Sequence, residues 1–203
     1  MPNTDALLFD LGGVVIQIEF ARVFEAWAVA AGVPSSQVNA RFSLDAGYEA
    51  HERGELEAAA YCAHLRRSLG LDLADEHLLS GWNEIFVGEV PGVGALLATL
   101  ARSFPLYVFS NTNVAHRDFW RVRYAGLLGP FSQIFCSCDL GLRKPAPAAY
   151  LEVARRIGSA PARIVFFDDH QANVLGAREA GLRAHEVHSA ADIRAALSRE
   201  GIA

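Results

Sequence analysis

Four short stretches carry side chains suited to more than packing: FDLGGVV at residues 9–15, FSNTN at 109–113, GLRKPAP at 141–147 and FFDDHQAN at 166–173. In the first, an apolar run stops abruptly at the carboxylate of Asp10; in the last, another stops at Asp168 and Asp169. Three carboxylates drawn into one crevice repel, and burial drives protons onto some of them. A divalent cation relieves both. Hard oxygen ligands with no adjacent His/Cys set point to Mg²⁺, which keeps its waters and takes few carboxylates. Of the 18 basic residues, all but Lys144 are arginine. A lone compact ammonium suits an anion that a planar guanidinium could not approach. The hydroxyl, amide and backbone N–H groups of Ser110 and Asn111 match phosphate oxygens. Together these are the parts of phosphoryl transfer, with Asp10 attacking phosphorus to form an aspartyl-phosphate that water later hydrolyses.

For that chemistry the four stretches must meet. Brief apolar or β-branched runs at residues 6–9, 106–109, 133–136, 164–167 and 183–187 read as buried strands bounded by Gly, Pro or polar residues. Residues 146–157 put Tyr150, Val153, Ala154 and Ile157 on one stripe between Pro145 and Gly158, and 171–180 and 190–199 read likewise as helices. The alternation predicts an α/β fold, a parallel sheet covered by helices on both faces. Polar groups at neighbouring strand ends would then converge on its carboxyl edge. Residues 20–87 differ, with helical runs at 21–31, 44–53, 57–69 and 74–86. They predict a helical unit inserted after the first strand and overhanging that edge. The expected division is a core of residues 1–16 and 89–203 and an insert of 17–88.

Composition removes several function classes. Formal net charge is -5 with no basic tract, which gives nucleic acid and anionic membrane little to hold. Apolar runs fall short of the ~18 residues a membrane span needs. The N-terminal MPNTD has no positive region ahead of an apolar one, so no secretory signal is read there. Cys136 and Cys138 form a CxC with no second Cys/His pair of zinc spacing, and the odd cysteine count suits free thiols in a reducing cytosol. The expectation is a cytoplasmic protein, monomer or homodimer, whose partner is a small phosphorylated metabolite.

In their order, the four stretches resemble the motifs of the haloacid dehalogenase (HAD) superfamily. Its fold is a three-layer Rossmann-like core, and residues 20–87 stand where it carries a helical C1-type cap. AHERGEL at residues 50–56, Gly81-Trp82 and Phe119-Trp120 are similar to the bacterial α-D-glucose-1-phosphate phosphatases of that superfamily. The resemblance spans roughly residues 6–188. It implies Asp10 as nucleophile and Mg²⁺ ligand, with the Gly12 carbonyl and the Asp169 carboxylate as further ligands. It implies Ser110, Asn111 and Lys144 around the phosphoryl group, and Asp168 orienting Lys144 or a metal-bound water. The implied substrate is a sugar phosphate such as glucose 1-phosphate.

One departure matters. Most phosphatases of the superfamily carry Asp two residues after the nucleophile, where it protonates the leaving oxygen and later deprotonates the attacking water. Gly12 stands there instead, as in the glucose-1-phosphate group. General acid–base help is worth ~10²–10⁴-fold, although a glycosyl phosphate leaves more easily than an alkyl one. Glu19, beside the expected hinge, is the favoured substitute because cap closure would bring it in; His51, Glu52 and His170 are the others. Trp27, Trp82 and Trp120 read as packing aromatics, with Trp82 and Trp120 the two to test for substrate stacking. A 2-haloacid dehalogenase needs neither metal nor leaving-group acid and tolerates Gly12, but the FFDD pair favours a metal and hence a phosphatase. A receiver domain has its acid pair after the first strand and no helical insert. A non-catalytic phosphometabolite-binding protein is the remaining alternative.

Overall fold

Alternation along the first strand builds two cores from one sheet. In β1 (Ala6–Phe9), Leu7 and Phe9 face one core while Ala6 and Leu8 face the other, and all four are fully buried. The computed structural model describes residues 4–202, so residues 1–3 and 203 of the expected core lie outside it. After β1 come β2 (Ile16–Ile18), α1 (Phe20–Ala31), α2 (Ser35–Arg41), α3 (Ala46–Glu52), α4 (Ala58–Leu69), α5 (Asp75–Asn83) and β3 (Phe86–Glu89). Then follow α6 (Val93–Leu100), β4 (Leu106–Ser110), α7 (Val114–Arg123), α8 (Ala125–Leu128), β5 (Phe131–Cys136) and α9 (Ser137–Leu140). The chain closes with α10 (Pro147–Ile157), β6 (Ile164–Asp168), α11 (Gln171–Glu179), β7 (Arg183–Glu186) and α12 (Ala190–Arg199).

The predicted α/β architecture is present: five strands pair in the order β5-β4-β1-β6-β7, all parallel. Strand order reverses about β1, so the carboxyl ends of β4, β1 and β6 lie side by side and open one crevice. Register is fixed by packing on both faces; Phe9 pairs with Phe167 across the ladder, and their rings stack at 4.9 Å. Among the described residues no helix is long and apolar enough to cross a membrane.

Helices α1–α5 gather round their own aromatic nucleus. Trp27 and Trp82 stack at 5.4 Å with planes 16° apart, and the Trp27 indole N–H donates to the Leu78 carbonyl at 2.9 Å. Gly81 permits this contact, since a Cβ there would fall 2.6 Å from Trp27 Cδ1. The sequence reading of a helix over 74–86 runs too far. The helix stops at Asn83, and Phe86 enters β3, which pairs antiparallel with β2. Ile85 and Phe86 continue the apolar helical spacing, but the Ile85 N–H makes only a long bond back to Trp82 at 3.4 Å, while its carbonyl turns to accept from the Glu19 N–H at 2.8 Å and Phe86 pairs with Ile18.

Candidate active site

Asp10 sits one residue beyond β1, where its N–H donates to the Phe167 carbonyl at 2.8 Å and fixes it against β6. Its Oδ1 lies 2.6 Å from Lys144 Nζ, which also meets Asp168 Oδ2 at 2.7 Å. Lys144 is buried, with its ammonium 5.6 Å and 5.4 Å from the ring centres of Phe109 and Phe166. Burial pushes the Asp10 carboxyl up to about 7; Lys144 pulls against this, and the charge of Asp168 adds to it. For Lys144, burial opposes the charge, yet Asp10 and Asp168 hold its pKa above the usual lysine value. Asp168 accepts further hydrogen bonds from the His170 N–H at 2.8 Å and from Asn173 Nδ2 at 3.0 and 3.1 Å.

The loop before α10 delivers Lys144, and Asn111 clamps it there. Asn111 Nδ2 donates to the Lys144 carbonyl at 2.9 Å, and the Lys144 N–H donates back to Asn111 Oδ1 at 2.8 Å. The Asn111 amide is therefore committed to the loop, leaving its backbone N–H beside Ser110 for an anion. Gly176 in α11 makes room for the same loop, because a Cβ there would meet the Pro145 carbonyl oxygen at 2.0 Å.

One ammonium faces three carboxylates here. Oxygens of Asp10, Asp168 and Asp169 lie within 4.8 Å of one another. Asp169 Oδ1 is buried without a hydrogen-bond partner among the described residues, and burial followed by the charge of Asp168 pushes that carboxyl upward. An orphaned carboxylate oxygen in an all-oxygen, over-negative cluster fits a hard divalent cation. Asp168 already serves Lys144, His170 and Asn173, so Asp10 and Asp169 are the carboxylates left to hold one.

Above the crevice lies a cavity of about 250 Å³, reaching from Asp10, Gly12, Ser110, Asn111, Lys144 and Asp169 to the helical insert. Ile18, Phe20, Ile85, Phe86 and Trp120 give it apolar walls, and Glu52, Arg143 and His116 polar ones. Arg143 meets Glu52 at 2.8 Å and Glu49 at 2.8 Å, joining the loop of Lys144 to α3. Ser137 reinforces this join: its hydroxyl donates to the Glu52 carbonyl at 2.6 Å and accepts the Thr112 N–H at 2.8 Å. Burial raises the Glu52 carboxyl, opposed by Arg143 and by a hydrogen bond from Tyr48.

The four residues considered in place of an acid at position 12 separate. Glu52 and His170 line the cavity. Glu19 is exposed at the start of α1 and is not part of the wall. His51 is buried against Tyr61, ring centres 4.2 Å apart, with Nδ1 2.7 Å from the Leu56 carbonyl. Trp120 contributes to the wall, whereas Trp82 lies behind it. Arg143, Asn173, Ser137 and His116 were not singled out from the sequence. The first two fall inside GLRKPAP and FFDDHQAN and could have been; Ser137 and His116 carry no local signal.

A family model described as a haloacid dehalogenase-like hydrolase matches residues 4–181. The D-ribitol-5-phosphate phosphatase of Bacteroides thetaiotaomicron is 23% identical over 202 residues, covering 95% of this chain and 96% of that protein. Flavin mononucleotide hydrolase 1 of Arabidopsis thaliana is 33% identical over 118 residues, 57% of this chain, and the match spans only 45% of that longer relative. Among solved structures, a HAD family enzyme of Bacteroides thetaiotaomicron in complex with magnesium and inorganic phosphate superposes with a TM-score of 0.79 at 24% identity, covering 93% of this chain and 96% of that one.

Proposed function

Since this chain belongs to the haloacid dehalogenase-like hydrolase family, we propose that it is a Mg²⁺-dependent phosphatase acting on a small sugar phosphate, such as glucose 1-phosphate, through an aspartyl-phosphate on Asp10. The observation that carries the reading is the Asp10–Lys144–Asp168 contact beside the unpartnered oxygen of Asp169. The phosphatase name of the full-length Bacteroides relative and the magnesium and phosphate in a similar structure support it.

In this reading an Asp10 oxygen attacks phosphorus in line while the bond to the leaving oxygen breaks. The Ser110 hydroxyl, the Asn111 N–H and the Lys144 ammonium surround the remaining phosphoryl oxygens as charge develops. Asp168 keeps Lys144 aimed. Asp10, Asp169 and the Gly12 carbonyl would hold Mg²⁺, which supplies charge neutralisation to the phosphoryl group. Water then cleaves the aspartyl-phosphate, releasing inorganic phosphate and restoring the Asp10 carboxylate. Residues 17–88 act as a C1-type cap that excludes bulk water. A cavity of about 250 Å³ is below the ~300–1,000 Å³ typical for drug-sized ligands, which favours a small metabolite over a flavin nucleotide.

The test is phosphate release from a panel of sugar phosphates and p-nitrophenyl phosphate, with Mg²⁺ or EDTA, beside Asp10→Asn. Mg²⁺-dependent release abolished by Asp10→Asn is the expected result. Release of halide from 2-chloropropionate without metal would replace this reading with that of a dehalogenase, which the absence of a side chain at Gly12 also suits.

A further inference from the structure

We propose that His116 is the residue that reads the alcohol part of the substrate, its Nδ1 accepting a hydrogen bond from a hydroxyl of a small phosphomonoester whose alcohol part is polyhydroxylated and carries no charge of its own; the proposal rests on the phosphatase reading above. His116 lies in the first turn of α7, outside the cluster around Asp10, and is one of the residues that line the cavity. The residue is held on several sides. Its backbone N–H is bound by Asn113 Oδ1 at 3.0 Å, its ring stacks on Trp82 at 4.9 Å, and Phe86 meets it edge-on at 5.0 Å.

Its hydrogen bonding fixes the tautomer. Nε2 lies 3.1 Å from the Trp82 carbonyl, and a carbonyl can only accept, so Nε2 carries the proton. Burial pushes the imidazole down to about 3, so the ring is neutral at physiological pH. Nδ1 is then a pure acceptor, with no hydrogen-bond partner among the described residues. Such a group rewards a hydroxyl donor and offers nothing to a carboxylate or a second phosphate. Arg143, the other cationic side chain of the wall besides Lys144, already faces Glu49 and Glu52. The hydrocarbon of Ile18 and Phe20 on the same wall suits the C–H surface of a sugar or polyol.

The test compares kcat/KM for glucose 1-phosphate and p-nitrophenyl phosphate, with Mg²⁺, in wild type, His116→Phe and His116→Gln. His116→Phe should lower the sugar-to-aryl ratio by about tenfold, the value of one hydrogen bond, while His116→Gln keeps it within about threefold, since its amide can both donate to Trp82 and accept from substrate. Equal loss on both substrates, or a ratio unchanged in His116→Phe, overturns the proposal while leaving the phosphatase reading intact. A wild type that releases phosphate from neither substrate overturns both. A series of monodeoxy sugar phosphates tests the same contact without a substitution. One position should cost about tenfold in kcat/KM, and a series in which no hydroxyl matters counts against His116.

Discussion

Ile18 stands where a side chain at position 12 would project: a Cβ on Gly12 would lie 3.3 Å from Ile18 Cδ1 and 3.4 Å from its Cγ2. Gly12 is not among the glycines with positive φ, so what a Cβ there meets is the Ile18 side chain rather than backbone strain. Hydrocarbon therefore crowds the space that the first carbon of a side chain at position 12 would enter. The double variant Gly12→Asp with Ile18→Ala is expected to raise kcat for alkyl phosphates relative to p-nitrophenyl phosphate by about 10²-fold. Gly12→Asp alone should give less, because Ile18 must give way. A ratio that stays flat in the double variant would mean that protonating the leaving oxygen does not limit turnover.

Gly13 is constrained for the opposite reason. Its φ is +85°, and a Cβ would fall 2.2 Å from Asp169 Oδ2. Gly13→Ala combines roughly 1–2 kcal/mol of backbone strain with displacement of a carboxylate assigned to Mg²⁺. Urea unfolding should register the first, and a weakened Mg²⁺ dependence of phosphate release the second. Wild-type Mg²⁺ dependence in Gly13→Ala would detach Asp169 from the metal.

Mg²⁺ should stabilise the protein and do so less as pH falls. Asp10 is raised from 3.8 to about 7, so the folded state binds its proton more tightly than the unfolded chain. Without metal, the stability this confers is complete below 3.8 and is lost as pH rises through about 7. With metal, proton and cation compete for the same oxygens, so the Mg²⁺-induced rise in Tm is expected to be large at pH 8 and to shrink below about pH 7. Differential scanning fluorimetry with Mg²⁺ or EDTA across pH measures this. A shift that persists undiminished in Asp169→Asn would argue against that ligand.

Glu52→Gln removes a charge from a partly buried pair. Glu52 is 5% exposed, but the Arg143 side chain is 21% exposed. The loss should therefore fall below the 3–5 kcal/mol of a fully buried pair, at about 1–2 kcal/mol. Faster hydrogen exchange in α3, with α10 and α12 unchanged, is the expected local sign. Uniform exchange across the chain would mean that the pair does not hold the insert to the core.

The polar stops at Asp10, Ser110 and Asp168 were readable because each closes a short, largely buried apolar strand, a local pattern. Their adjacency was not; it depends on β4 and β6 both choosing β1, which no single segment encodes. The strands at Ile16–Ile18 and Phe86–Glu89 escaped because each is short and gains its identity only from the other. The loop GLRKPAP announced Lys144, but not that the Asn111 amide would be occupied in gripping it, a contact 33 residues away in sequence. Glu19 was well placed along the chain, yet sequence position fixes no side-chain direction, and its side chain ends in solvent.

Both chain crossings between the helical insert and the sheet run through the same pair of strands, β2 and β3, joined from Ile16 opposite Glu89 to Ile18 opposite Phe86, with an irregularity at Gln17/Ile18. Ile18 belongs to that ribbon, so the residue crowding position 12 sits on the covalent path between sheet and insert. Glu52, bound to Arg143, joins the same two parts from the other side of the cavity.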